Sequence, residues 1–136
     1  QVAPFELADL EGRRVAVLPR GRPVLINYWA SWCEPCRREM PLLSDFAQAQ
    51  GANGVQVVGI ALDSPSAAKA FLAATPVRFA TLVEAPGPAD SSVRLGNARG
   101  VLPYSVLVAA DGRVLAQHLG DFDDRAQLEA WAGAAR

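Results

Sequence analysis

The only two cysteines of the chain lie in one short stretch, Trp29–Pro41, WASWCEPCRREMP, with two residues between them. A disulfide that stabilises a fold usually closes a long loop, because a longer loop removes more conformational entropy from the unfolded chain. Cys33 and Cys36 close almost no loop, so their spacing indicates chemistry or metal binding. A CxxC pair that follows a strand in a βαβ pattern is typical of a thiol–disulfide redox motif.

The position of the pair favours redox chemistry. We predict that a buried strand ends just before Cys33 and that a helix begins at Glu34, with Pro35 in its first turn. The free N–H groups and the positive dipole end of a helix stabilise a thiolate, which is the nucleophilic form of cysteine. Cys36 lies one turn further along and can attack a mixed disulfide formed at Cys33.

Glu34 opposes this stabilisation, because it places a negative charge beside the thiolate. A like charge near a protein surface costs on the order of 1 kcal/mol, which is about what a helix N-terminus contributes. We therefore expect a couple that is more reducing than that of a strong oxidant.

Metal binding is the alternative use of two cysteines. A structural zinc site needs four ligands, and the other soft candidates are His118, far along the chain, and the single methionine, Met40. We expect no zinc and no cofactor beyond the redox-active disulfide. A Cu(I)-handling role stays open, because Cu(I) accepts low coordination by soft ligands.

Composition bounds the class of protein. The chain has 136 residues, 51% hydrophobic and 20% charged, with a net charge of −1, which predicts one ordered globular domain and no nucleic-acid partner. No apolar run approaches the roughly 20 residues that span a bilayer. Because the chain starts at Gln1 without Met, we expect a processed or truncated product whose signal peptide or anchor has been removed.

Apolar periodicity predicts the elements that position the pair. Residues 1–23 suggest a hairpin, Phe5–Leu7 and Val15–Leu18 around Glu11–Gly12. Later strands are predicted at Val24–Trp29, Val55–Leu62, Phe79–Val83, Ser105–Ala109 and Val114–Leu119. Helices are predicted from Glu34 to Gly51, interrupted and kinked at Pro41, and from Ser64 to Thr75, with a helical turn at Ser91–Leu95. A last helix is predicted after Asp123 or Asp124, one of which caps it. Its buried side consists of Leu128, Trp131, Ala132 and Ala135. This is a mixed α/β sheet with helices on both faces.

Four segments carry a family resemblance: APFELADLEG, RPVLINYWASWCEPCRREMP, GNARGVLPYSVL and ADGRVLAQHLG. In them the chain resembles the TlpA/ResA group of periplasmic thioredoxin-fold thiol–disulfide oxidoreductases. The resemblance implies a thioredoxin fold in a single domain, 1–136, made of an N-terminal hairpin extension, 1–23, and a core, 24–136. It also implies a periplasmic location.

The same resemblance implies roles for individual residues. Cys33 is the attacking cysteine and Cys36 the resolving one, while Leu102–Pro103 falls where the family carries a cis proline facing the disulfide. The backbone of Leu102 is then available to pair with an extended substrate segment. The substrate-binding residues are Trp32, Glu34, Pro35, Leu102 and Pro103.

Glu39 matches a glutamate that this group keeps near the cysteines as an acid or base. Where thioredoxin has a buried aspartate this chain has Asn27, which cannot take a proton, and Glu39 can share a helical face with Cys36. The plainer interpretation is a solvated helix residue, as for Arg37 and Arg38.

Together with the redox motif, the resemblance implies a monomeric periplasmic disulfide reductase that acts on protein partners, such as an apocytochrome c or a copper-site protein of cytochrome oxidase. It also implies that a membrane electron donor recharges the enzyme. A Cu(I)-binding module and a disulfide oxidant or isomerase are the alternatives. A peroxidase is discounted, because Ile26 and Ala30 stand where the peroxiredoxin motif needs Pro and Thr or Ser.

Overall fold

A computed structural model describes residues 1–18 and 21–134. Within them the strands are β1 Glu6–Asp9, β2 Arg14–Ala16, β3 Val24–Trp29, β4 Gln56–Leu62, β5 Ala80–Glu84, β6 Tyr104–Val108 and β7 Val114–Leu119. The helices are α1 Glu34–Gln50, α2 Pro65–Ala74, α3 Ser91–Arg94 and α4 Arg125–Ala134. The predicted order of elements is confirmed, and most predicted bounds lie within one or two residues of these.

The strands form one mixed sheet in the order β2-β1-β5-β4-β3-β6-β7. β3 pairs with β4 and β4 with β5 in parallel, as alternation with helices predicts. β6 is antiparallel to both β3 and β7. Because β6 runs against β3, Tyr104 at its start pairs with Tyr28 near the end of β3. The segment before β6 therefore reaches the same edge of the sheet as the segment after β3.

The N-terminal hairpin is confirmed. β1 and β2 pair antiparallel, and β1 also pairs with β5, so the hairpin extends the sheet at one edge. Asp9 accepts hydrogen bonds from the backbone of Glu11 and Arg13 across the turn. Gly12 takes a φ of 86° there, a conformation that glycine adopts without steric cost.

The core lies on both faces of the sheet. All six residues of β3 are buried, and alternate ones point to opposite faces. Val24, Ile26 and Tyr28 join a cluster covered by the N-terminal segment and by Leu95 after α3. Leu25 and Trp29 belong to clusters that include residues of α1, α2 and α4.

Helix α1 continues through Pro41, so the predicted interruption is wrong, while a kink at the proline stays a prediction. Pro41 is exposed, whereas Met40 and Leu43 on either side are fully buried against the sheet. Packing on both sides of the proline outweighs the loss of one helical hydrogen bond.

The last helix is capped as predicted, with the side chain of Asp124 accepting from the backbone N–H of Gln127. Leu128 and Ala132 are buried and Trp131 is partly buried, while Ala135 lies outside the described residues. No helix in the described ranges is long and apolar enough to cross a membrane.

Candidate active site

Cys33 and Cys36 form a disulfide at the start of α1, with their Cα atoms 5.3 Å apart. Cys33 is the N-cap residue, and its Sγ accepts a hydrogen bond from the backbone N–H of Cys36 at 3.3 Å. Pro35 occupies the first turn of α1, where its missing N–H costs nothing. The predicted placement of a sulfur on the positive end of a helix is therefore observed.

The two sulfur-bearing residues differ in access. Cys33 keeps 6% of its surface exposed and Cys36 only 1%, so Cys33 is the one that an incoming molecule meets first. Trp32, just before it, is 71% exposed. Glu34 is exposed and Pro35 half-buried on the other side. These residues form a surface around Cys33 that a partner can contact.

The Leu102–Pro103 peptide bond is cis, as the resemblance implied. Leu102 packs against the cluster that holds both cysteines, which brings this loop to the disulfide. Within the described part of the chain, the backbone of Leu102 forms no hydrogen bond. Its N–H and C=O are thus free for an added extended segment.

Asn97 holds the chain just before the cis proline. Its buried side chain accepts from the N–H of Val101 at 3.0 Å and donates to the carbonyl of Val101 at 2.9 Å. Asn97 also donates to Ser92, at the start of α3. The loop is therefore fixed by a buried side chain and does not depend on a partner for its shape.

Asp63, at the end of β4, is a residue that the sequence reasoning missed. Its carboxylate accepts from the backbone N–H of Ser31 at 2.9 Å and from the Ser31 hydroxyl at 2.6 Å. Although partial burial acts to raise the pKa of Asp63, the hydrogen bonds from Ser31 and Ser64 together lower it. Through these hydrogen bonds to Ser31, Asp63 stabilises the turn that contains Trp32 and Cys33. The signal was available, because the carboxyl ends of parallel strands meet at one edge of a sheet.

Glu39 is buried inside the molecule, 2% exposed, so its interpretation as a solvated helix residue is wrong. One carboxylate oxygen accepts from the side-chain N–H of Asn27, and the other from the backbone N–H of Phe122, both at 2.9 Å. The Asn27 amide also donates to Ser105 on β6. Glu39 therefore connects α1 to strands β3 and β6 and to the loop before α4.

Burial raises the pKa of Glu39 from 4.5 to about 7, and the nearby charge of Asp121 acts in the same direction. The hydrogen bonds from Phe122 and Asn27 oppose the rise without cancelling it. A carboxyl group with a pKa near neutrality is suited to exchanging protons at physiological pH. It lies three residues from Cys36, on the same helical face.

An open groove of about 380 Å³ lies beside Trp32, the residue before Cys33, and its volume is within the range of small ligand sites. Its apolar lining consists mainly of Trp32, Leu62, Pro86, Pro88, Val93 and Leu102. Trp32 and Leu102 are also the residues that flank Cys33. The groove therefore shares Trp32 and Leu102 with the surroundings of the redox site, although neither cysteine lines it.

The remaining candidate residues of the sequence analysis, His118, Arg37 and Arg38, contact neighbouring side chains of the protein. His118 stacks on Phe122, with ring centroids 4.0 Å apart, and Arg37 lies over the ring of Phe71. Arg38 reaches Asp121 at 3.5 Å. In residues 1–18 and 21–134 no group of three or more His, Cys, Asp or Glu side chains is arranged to hold a metal ion.

Comparisons with known proteins agree with this geometry. A family model described as the AhpC/TSA family matches residues 1–117. The thiol–disulfide oxidoreductase ResA of Bacillus thuringiensis (strain Al Hakam) is 30% identical over 131 residues, covering 93% of this chain and 72% of that protein.

Two solved structures extend the comparison. A Chlorobium tepidum protein described as a thiol:disulfide interchange protein, DsbE, is 33% identical with a TM-score of 0.83, over 98% of this chain and 93% of that one. A secreted Mycobacterium tuberculosis disulfide oxidoreductase, homologous to E. coli DsbE, is 26% identical with a TM-score of 0.75, over 96% and 95% of the two chains.

A mixed sheet with a CxxC disulfide at the start of its first long helix defines a thioredoxin-fold thiol–disulfide oxidoreductase. Its substrates are protein thiols and disulfides, as its oxidoreductase relatives imply. The chain belongs to the AhpC/TSA family and is ResA-like within it.

Proposed function

We propose that this protein is a disulfide reductase of the periplasm, acting as a monomer on folded or extended protein partners. The observation that carries the proposal is the Cys33–Cys36 disulfide at the N-terminus of α1, open to a partner on the Cys33 side only. A secreted relative supports an extracytoplasmic location. Partners of the proposed kind are an apocytochrome c or a copper-site protein of cytochrome oxidase.

The reaction takes two exchange steps. The Cys33 thiolate attacks one sulfur of the partner disulfide; a mixed disulfide forms, and the other partner sulfur leaves as a thiolate and takes a proton. The Cys36 thiolate then attacks Cys33 Sγ, which forms the Cys33–Cys36 disulfide and releases the second partner thiolate. Two electrons pass from the enzyme dithiol to the partner. A membrane-bound thiol reductant must return them.

The surroundings of the disulfide supply the other roles. Trp32, Glu34 and Pro35 face the partner around Cys33, and the free backbone of Leu102 before Pro103 pairs with an extended segment of it. Glu39, buried and with a pKa raised to about 7, accepts the proton of Cys36 as that thiol becomes the attacking group.

Trapping the mixed disulfide tests the assigned roles. Cys36→Ser removes the resolving thiol, so the reduced variant should hold a partner through Cys33 as a covalent adduct that dithiothreitol releases. Cys33→Ser is the matched control and should trap nothing. Adducts on Cys33→Ser, or none on Cys36→Ser with any disulfide, would contradict the mechanism.

The reduction potential tests the direction of electron flow. Equilibration against a dithiol buffer, followed by tryptophan fluorescence, should give the Cys33–Cys36 couple a reduction potential of about −270 mV, the value of thioredoxin. A value between about −180 and −120 mV is that of an isomerase or oxidant and would reverse the proposed direction. Retention of one Cu(I) per chain through gel filtration, without disulfide exchange, would indicate copper handling instead.

A further inference from the structure

The groove beside the cysteines contains two charged residues, Asp90 and Arg99, and their situations differ. Asp90 is 9% exposed, and both of its carboxylate oxygens are used within the protein. Oδ1 accepts from the hydroxyl of Ser92 and the N–H of Val93, and Oδ2 accepts from the N–H of Gly87. Its charge is committed to capping α3.

Arg99 has no such commitment. It is exposed, and it forms no hydrogen bond, ion pair or ring contact within the ranges that the structure describes. Other arginines near the site are engaged, since Arg37 lies over Phe71 and Arg38 reaches Asp121. Arg99 is thus the unpaired cation among the described residues of the groove, whose other charged residue, Asp90, is already hydrogen-bonded within the protein.

The groove has a defined position relative to the reaction. It is lined by Trp32, the residue before Cys33, and by Leu102, which packs against the cysteine cluster and whose backbone forms no hydrogen bond among the described residues. A substrate segment that pairs with Leu102 therefore lies beside the groove, because Leu102 is part of its lining. The side chains near the reacting substrate cysteine then meet apolar walls and one guanidinium group, which recognises a carboxylate.

We propose that Arg99 determines substrate specificity, by selecting extended segments that carry an Asp or Glu near the reacting cysteine together with an apolar side chain for the groove. The inference rests on the proposed function, because it concerns the partner of the same site. Its contribution is to the encounter and register of the substrate, because an exposed charge changes association more than it changes chemistry.

Peptide disulfides test the selection. The substrates are peptides prepared as mixed disulfides with glutathione. Each peptide has one cysteine, one leucine and one variable residue, and the variable residue is placed at each position from three before to three after the cysteine. The variable residue is Glu, Gln or Lys. The rate of adduct formation with reduced Cys36→Ser is measured and divided by the rate of each peptide with free dithiothreitol, which removes intrinsic differences in reactivity.

At low ionic strength, at least one position should favour Glu over Gln by about three-fold, the effect of one exposed ion pair, and should disfavour Lys. Arg99→Ala should abolish this preference, Arg99→Glu should invert it, and Arg99→Lys should retain most of it. Arg94→Ala is the matched control, because Arg94 is exposed nearby but lies over Phe5 and lines a different cavity. Raising the salt to about 1 M should remove the preference through screening.

The possible failures are distinct. If peptides react but the Glu preference is absent or survives in Arg99→Ala, the role of Arg99 is wrong and the proposed function stands. If no peptide forms an adduct, the proposed exchange reaction itself is wrong. Adducts with equal rates for all peptides would also exclude selection by Arg99.

Discussion

Asn27 has a buried side-chain oxygen, Oδ1, with no hydrogen-bond partner among the described residues, while its N–H groups bond Glu39 and Ser105. This arrangement fits ionised Glu39, which only accepts. When Glu39 takes a proton it gains an O–H donor, and a turned Asn27 amide can accept it through Oδ1. Asn27 can therefore serve both protonation states of its neighbour, which an aspartate at that position could not do without adding a second charge.

The raised pKa of Glu39 has a consequence for stability. Between pH 4.5, its ordinary pKa, and about pH 7 the folded protein binds a proton that the unfolded chain has lost. The free energy of unfolding should therefore fall as pH rises through this window, by on the order of 3 kcal/mol. Glu39→Gln, neutral throughout, should lack this fall and be more stable than the native protein at pH 8.

Urea unfolding at intervals between pH 4.5 and pH 8 measures this effect. Glu129→Gln is the control, because Glu129 is half-exposed in a surface ion pair with Arg125 and should leave the slope unchanged. A Glu39→Gln variant with the native pH slope would show that Glu39 is ionised throughout the window.

The same substitution should alter the second exchange step. If Glu39 accepts the Cys36 proton, resolution of the mixed disulfide should accelerate up to about pH 7 and then level off. In Glu39→Gln the step should be slower at pH 7, and its rise should continue to higher pH, toward the pKa of the thiol itself. Stopped-flow measurement of the slow phase with a chromophoric disulfide gives this profile. An unchanged inflection near pH 7 would assign the proton transfer to another group.

At the scale of elements, Asn97 joins α3 to the segment before β6. Asn97→Ala leaves the N–H and carbonyl of Val101 without their partner and should destabilise the fold by about 1–3 kcal/mol. It should also slow exchange with peptide disulfides, because the backbone of Leu102 loses its fixed position. Exchange with a small disulfide that does not use the groove should keep its native rate. Equal slowing toward both substrates would mean that Asn97 acts on the cysteines.

The elements themselves could be predicted because their signals are local. The strand β3 is a nearly continuous apolar run, and the Asp111–Gly112 turn joins β6 to β7. Ser64 caps α2, as its sequence predicts. Pro41 misled the prediction, because packing on both sides of it is a tertiary effect. The cysteines could be predicted for the same reason as the strands: their spacing is visible in the sequence.

The rest of the site depends on residues that are distant in the chain. The hydrogen bonds between Ser31 and Asp63, the burial of Glu39 and the shared groove of Arg99 and Trp32 depend on the order of strands, which brings distant segments together. Periodicity does not give that order. The resemblance supplied the role of Glu39, but only the structure shows the burial that raises its pKa.

At the scale of the whole molecule, the topology assembles the site. The ends of parallel β3 and β4 bring the Cys33 turn to Asp63, and antiparallel β6 returns Pro103 to the same edge. The N-terminal hairpin pairs with β5, on the far side of the sheet from β6. It extends the core at the edge opposite β6, and Cys33 keeps 6% of its surface exposed to a partner.

The fold and the redox state are thermodynamically linked, which gives a global test of the reductase direction. A reducing couple is one whose disulfide is favoured by the folded protein, whereas a strong oxidant has a stabilised reduced form. The oxidised protein should therefore unfold at a higher urea concentration than the reduced protein at pH 7. The difference in unfolding free energy, converted at about 1.4 kcal/mol per 30 mV, should equal the difference in potential between the folded protein and the isolated Trp29–Pro41 peptide. A double Cys33→Ala, Cys36→Ala variant should unfold identically with and without dithiol. A reduced protein more stable than the oxidised one would mean that electrons flow in the opposite direction, from the partner to this enzyme.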